Sequence, residues 1–263
     1  MPAHDLPLLI DAARMAGRVA TSFAGKNARR WDKPDDAGPV TEADLAVNDL
    51  LATVLRGARP EYGWLSEETE DNDARLDKRN VFIIDPIDGT RSFVEGSSTW
   101  AHSIAVARDG VVTAAVVFLP LRDKLYAAAL GQGAHMNNTL IRASTQDQLH
   151  ASTVLAASPA MRTEHWKSRR EPIFKRNYRP SLAYRLALVA EGRFDAMLTL
   201  RDTWEWDIAA GALIVSEAGG QITDQNGLPL RFNNAAPLLK GVVAGGQATQ
   251  AALINDLAGP ILP

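Results

Sequence analysis

The chain contains no cysteine. That absence excludes disulfides, thiolate zinc sites and thiol nucleophiles. Histidine is scarce, with 5 in 263 residues, and no two stand at ligand spacing, so a zinc site is not expected. His102 and His135 are isolated and read as surface or hydrogen-bonded side chains, although His102 is near enough to the central motif to line a pocket. No uninterrupted apolar run is long enough to span a bilayer, and the amino end has no basic cluster of the signal-peptide kind. No membrane partner is expected, and a cytoplasmic location is the default expectation. Charge is nearly balanced, 28 Lys and Arg against 31 Asp and Glu for a net charge of -3, which gives no global attraction for nucleic acid or an acidic membrane surface. With 46% hydrophobic and 22% charged residues the composition is globular, and the length suits one large domain or two closely joined ones.

What is present gathers around VFIIDPIDGTRSF at 81–93. Four apolar residues, 81–84, read as a buried strand, and two carboxylates follow, Asp85 and Asp88, with Pro86 between them and Gly89-Thr90 directly after. Two ionised carboxylates held close repel unless a hard cation such as Mg2+ lies between them. Gly89 permits a close backbone approach, and a helix opening at Thr90 would aim free N–H groups at an anion beside the metal, such as a phosphate. The same string also fits an ordinary turn after a core strand. Its company tips the balance: Glu67 and Glu68 follow the apolar pair Trp64-Leu65, and Asp207 stands in WEWDIAAG at 204–211.

IIDPIDGTRSF at 83–93, LSEE at 65–68, VTEAD at 40–44 and WDIAAGALIVSEAGG at 206–220 stand in an order that resembles the inositol monophosphatase superfamily of Mg2+-dependent, lithium-sensitive phosphatases. The likeness runs from about 12 to 224, most of the chain. It implies an α+β fold, the layered α/β/α/β/α sandwich of the inositol monophosphatase and fructose-1,6-bisphosphatase type, and a homodimer. It implies that Glu67, Asp85, the carbonyl of Ile87, Asp88 and Asp207 hold two or three Mg2+ ions per site. Glu67 thus serves catalysis as a ligand, Asp44 and Thr90 orient the attacking water, and the N–H groups of Gly89 and Thr90 hold the phosphoryl oxygens. Glu68 matches the family's second, supporting acid.

Taken in order, residues 9–23 have helical apolar spacing, with Asp5 or its neighbours as the start signal. Residues 25–38 are polar, charged and proline-containing and read as a mobile loop. Thr41 and Asp44 form a capping-box pattern before a second helix, a role compatible with the one the resemblance gives Asp44. Glu70, Asp71 and Asp73 are assigned to solvent. An antiparallel meander is expected over 103–129, a strand at 153–157, helices at 181–191, 207–218 and 247–257, and a strand at 195–200. A soft boundary near His150 divides 1–150, with the central motif, from 151–263, which supplies Asp207 and substrate contacts. Seven basic residues fall between Arg162 and Arg179, with Trp166, Phe174 and Tyr178 among them. That segment reads either as a solvated connector or as contacts for a nucleotide carrying two phosphates.

With no thiol and no serine–histidine motif, nothing announces a covalent phospho-enzyme, and carboxylates beside a phosphate-facing helix start point to metal-assisted attack by water. Inositol phosphatases usually carry Thr-Asn before the Phe of the central motif, where this chain has Arg91-Ser92. They also place a Glu seven residues before the last metal Asp, and Leu200 stands there. Arg91 and the Glu205-Trp206-Asp207 run resemble the 3'(2'),5'-bisphosphate nucleotidase branch, which makes Arg91 and Glu205 expected substrate contacts. The expected activity is hydrolysis of the 3'-phosphate of adenosine 3',5'-bisphosphate, a small phosphorylated substrate. Inositol-1-monophosphatase is the alternative, and an RNA- or protein-binding regulatory module is the alternative of another class.

Overall fold

The computed structural model describes residues 5–23, 28–33 and 38–259. Its elements run α1 (Leu6–Ser22), β1 (Arg30–Asp32), β2 (Pro39–Thr41), α2 (Glu42–Ala58), β3 (Gly63–Ser66), β4 (Asn80–Asp88), α3 (Thr90–Val94), β5 (Ala101–Arg108), β6 (Val111–Leu119), β7 (Lys124–Ala129), β8 (Ala134–Met136) and β9 (Thr139–Leu140). They continue with β10 (Thr153–Ala156), β11 (Lys175–Asn177), α4 (Leu182–Ala190), β12 (Ala196–Trp204), α5 (Glu205–Glu217), β13 (Gln221–Thr223), β14 (Leu238–Gly245) and α6 (Gln247–Asp256).

Strands β3 to β9 form a seven-stranded sheet in sequence order, and a five-stranded sheet has the order β11-β10-β12-β14-β13. β3 lies parallel to β4, and the rest of the larger sheet is antiparallel. Alternation along β4 sends Phe82 and Ile84 into one core and Val81 and Ile83 into the other. The first core is closed by α1 and α2, through residues such as Leu9, Ala16, Val47 and Leu51. The second is filled by α4 and α5 together with Val242 and Ala244 of the smaller sheet. Val154, Leu198 and Val243, on the far face of that sheet, pack with Leu253 of α6. The layers are therefore helix, sheet, helix, sheet, helix, the α+β sandwich expected.

Three local expectations differ. The 25–38 stretch contains β1, which pairs antiparallel with β2 through Trp31↔Val40, so the described part of it is a ribbon; residues 24–27 and 34–37 lie outside the described residues. Asp71 is not simply solvated, because its carboxylate accepts from Arg75 Nε at 2.6 Å and Nη2 at 2.7 Å, and Arg75 is buried. The basic connector has its own core: Trp166 and Phe174 are buried and pack edge to face with centroids 5.8 Å apart, which leaves Tyr178 as the exposed aromatic.

Candidate active site

The acids reach one place because β4 ends in a bulge and α5 starts beside it. β4 pairs with β5 in register down to Asp85↔Ser103, and pairing resumes at Asp88↔Ala101 after a shift. Gly89 follows at φ 99°, a left-handed conformation that favours glycine, and turns the chain into the short α3. α5 begins at Glu205, two residues earlier than expected, so Asp207 lies in its first turn. Ser103 Oγ donates to the Trp206 carbonyl at 2.8 Å and ties that turn to β5.

Carboxylate oxygens of Asp85, Asp88 and Asp207 lie within 4.8 Å of one another. Asp88 Oδ2 accepts from Ser181 Oγ and from Ala183 N, both at 2.6 Å, so the N-terminus of α4 fixes its orientation. Asp85 Oδ1 is buried with no hydrogen-bond partner among the described residues. Burial pushes all three carboxyls above the usual range, Asp88 to about 6, and neighbouring carboxylates push Asp85 and Asp207 further. An all-oxygen donor set, crowded like charge and an orphaned buried oxygen fit a hard divalent cation.

Glu67 lines the same cleft but stands outside that trio. Lys33, just past β1, donates to Glu67 Oε1 at 2.8 Å and to Glu68 Oε1 at 2.7 Å. Thr90 Oγ1 lies 3.2 Å from both Asp44 Oδ1 and the Ile87 carbonyl, its two possible acceptors. Asp44 Oδ2 accepts from Thr41 N at 2.8 Å and Thr41 Oγ1 at 2.5 Å, which completes the capping box of α2. Desolvation raises the Asp44 carboxyl to about 6.

The cleft encloses about 770 Å³ and is also lined by Gly89, Arg91, Tyr178, Arg185, Leu200, Arg201, Trp204 and Trp206. Arg185 is 5% exposed, yet it has no ion-pair partner among the described residues. Its guanidinium lies 4.6 Å over the Tyr178 ring, and its Nε donates to the Arg179 carbonyl. The indoles of Trp204 and Trp206 stack at 4.7 Å and 8°, and Trp204 is 40% exposed. Glu205 is not on this wall. Its buried carboxylate accepts from Asn233 N at 2.6 Å and from Asn234 N at 2.9 Å, so the expected substrate contact is a structural anchor. Lys33, Ser181 and Arg185 escape sequence reasoning, because each reaches the site through pairing or helix packing far along the chain.

Carboxylates gathered at a strand bulge, a helix N-terminus facing them and a cationic cleft wall define a metal-dependent phosphatase. Comparison with known proteins gives the family. The model of the inositol monophosphatase family matches residues 3–259. An inositol-1-monophosphatase of Rhizobium meliloti is 33% identical over 97% of this chain and 97% of that protein. Nus factor SuhB of Escherichia coli K12 is 29% identical over 96% and 95%. A solved inositol monophosphatase structure from Thermotoga maritima superposes with a TM-score of 0.81 at 29% identity, covering 97% of this chain and 96% of that one. The chain belongs to the inositol monophosphatase family.

Proposed function

We propose that this phosphatase is a Mg2+-dependent 3'(2'),5'-bisphosphate nucleotidase that releases the 3'-phosphate of adenosine 3',5'-bisphosphate. The observation that carries the reading is Arg185, a buried cation on the cleft wall with no carboxylate at ion-pair distance among the described residues, Asp88 acting on it only from farther off. Buried charges are commonly paired in direct contact, and a second phosphate on the substrate would supply that contact. Arg91 and Arg201 add positive charge to the same cleft, Leu200 offers no acceptor for ring hydroxyls, and Trp204 presents an exposed indole to a planar base.

Asp85, Asp88, Asp207, Glu67 and the Ile87 carbonyl would hold two or three Mg2+ ions, which supply charge neutralisation and an activated water when bound. Thr90 would orient the attacking water, and Asp44, buried behind it with Oδ1 3.2 Å from Thr90 Oγ1, would fix that hydroxyl and so share in the orientation. The Gly89 and Thr90 N–H groups hold phosphoryl oxygens, and attack in line inverts phosphorus.

Phosphate release from adenosine 3',5'-bisphosphate and from inositol-1-phosphate, each with Mg2+ and with added Li+, tests the reading. The expected result is clearly better nucleotide turnover, inhibited by Li+, with R185M raising KM for the bisphosphate at least tenfold. Preferred turnover of inositol-1-phosphate overturns it. A second reading, a regulatory binding module, draws on the likeness to Nus factor SuhB and on the exposed Lys167, Arg169, Arg170 and Lys175. Absence of turnover on both substrates would favour it.

A further inference from the structure

The register shift between β4 and β5 leaves Pro86 and Ile87 opposite a single residue, His102. A bulge of this kind costs ladder hydrogen bonds and re-aims the side chains on either side of it. Here the flanking side chains are Asp85 and Asp88. His102 supplies a bond of its own: it is fully buried, and its Nδ1 donates to the Pro86 carbonyl at 2.5 Å. A carbonyl only accepts, so Nδ1 carries the proton. Burial lowers the imidazole pKa to about 4, so the ring is neutral and Nε2 is bare. Nε2 has no hydrogen-bond partner among the described residues. Trp100 and Phe118 flank the ring, with centroids 5.4 and 6.3 Å away. The imidazole therefore sits in an aromatic wall, off the cleft, with one nitrogen unsatisfied. A phenyl ring would fill that space without stranding a polar atom. What it would not provide is the donor to Pro86.

We infer that His102 is a positioning residue for the metal centre: its imidazole clamps the Pro86 carbonyl and so locks the bulge that aims Asp85, the Ile87 carbonyl and Asp88 into the cleft. This rests on those groups being metal ligands. Residues that orient ligands from behind typically cost 10- to 100-fold in metal affinity when removed.

Two variants of the full chain separate the clamp from simple packing. H102F keeps a planar ring against Trp100 and Phe118 but has no donor; H102N keeps an amide donor near the Nδ1 position. Each metal-stripped protein is titrated with Mn2+ by calorimetry, alongside a thermal melt in EDTA and steady-state kinetics at saturating metal. H102F is expected to melt within a few degrees of wild type, to bind Mn2+ roughly 10- to 100-fold more weakly, and to lose kcat with little change in KM. H102N is expected to recover most of the affinity. Wild-type Mn2+ affinity in H102F overturns the clamp, as does H102N binding no better than H102F. If H102F does not fold, H102N alone decides, since wild-type-like binding supports the clamp and H102F-like loss removes it. Failure of the wild-type protein to bind Mn2+ would instead remove the metal reading on which the clamp rests.

Discussion

The Glu205 carboxylate accepts from Asn233 N, Asn234 N and Asn234 Nδ2, all on the segment that leads into β14. Hydrogen bonds to a charged group are worth about 1.5–3 kcal/mol each, and buried donors left unpaired add to the loss. Glu205→Ala is therefore expected to destabilise the protein by about 3 kcal/mol in urea unfolding, with KM for substrate unchanged. A rise in KM at unaltered stability would return Glu205 to the substrate. Glu205 and Asp207 are neighbours in sequence, but residues two apart on a helix do not share a face. That is why the meeting of Asp85, Asp88 and Asp207 is legible from the motifs and the family likeness, while the burial of Glu205 away from the cleft is not. Arg185 was hidden for a related reason: its neighbours in the chain are apolar helix residues, and only packing shows that it faces the cleft.

Helices α4 and α5 approach closely at Gly211, where a Cβ would meet the Leu186 side chain. The two helices bring the cap on Asp88 and the carboxylate of Asp207 to one point. Gly211→Ala would drive them apart, and overpacking of this kind costs about 1–3 kcal/mol. The expected outcome is a melting midpoint lowered by several degrees and weaker metal binding; a midpoint and affinity equal to wild type would show that the approach is slack. The small residues at 209–211 announced this contact, just as apolar periodicity announced the helices and the meander. The β1–β2 ribbon gave no such signal. Its first strand is three exposed residues, Arg30–Asp32, and its pairing with Pro39–Thr41 leaves no alternating pattern to read.

At the scale of the whole molecule, acids raised by burial set the pH response. Asp44 and Asp88 are raised to about 6 and Glu68 to about 7, each chiefly by burial, whereas unfolded carboxyls lose their protons near pH 4. Between about pH 4 and 7 the folded state binds more protons than the unfolded one, so stability falls as pH rises. Melts in EDTA at pH 5, 6.5 and 8 are expected to show a descending midpoint, and saturating Mg2+ is expected to reverse the order, because cation binding requires the ionised acids. A flat or ascending series in EDTA would contradict the burial of these groups.

The core between the two sheets interleaves Val81, Ala105 and Tyr126 with Leu186, Ile214 and Val242. During synthesis the ribosome delivers the first set long before the second. Until α5 has emerged, the nascent polypeptide lacks Asp207 and much of the cover for one side of its larger sheet, so the three carboxylates can meet only late in translation.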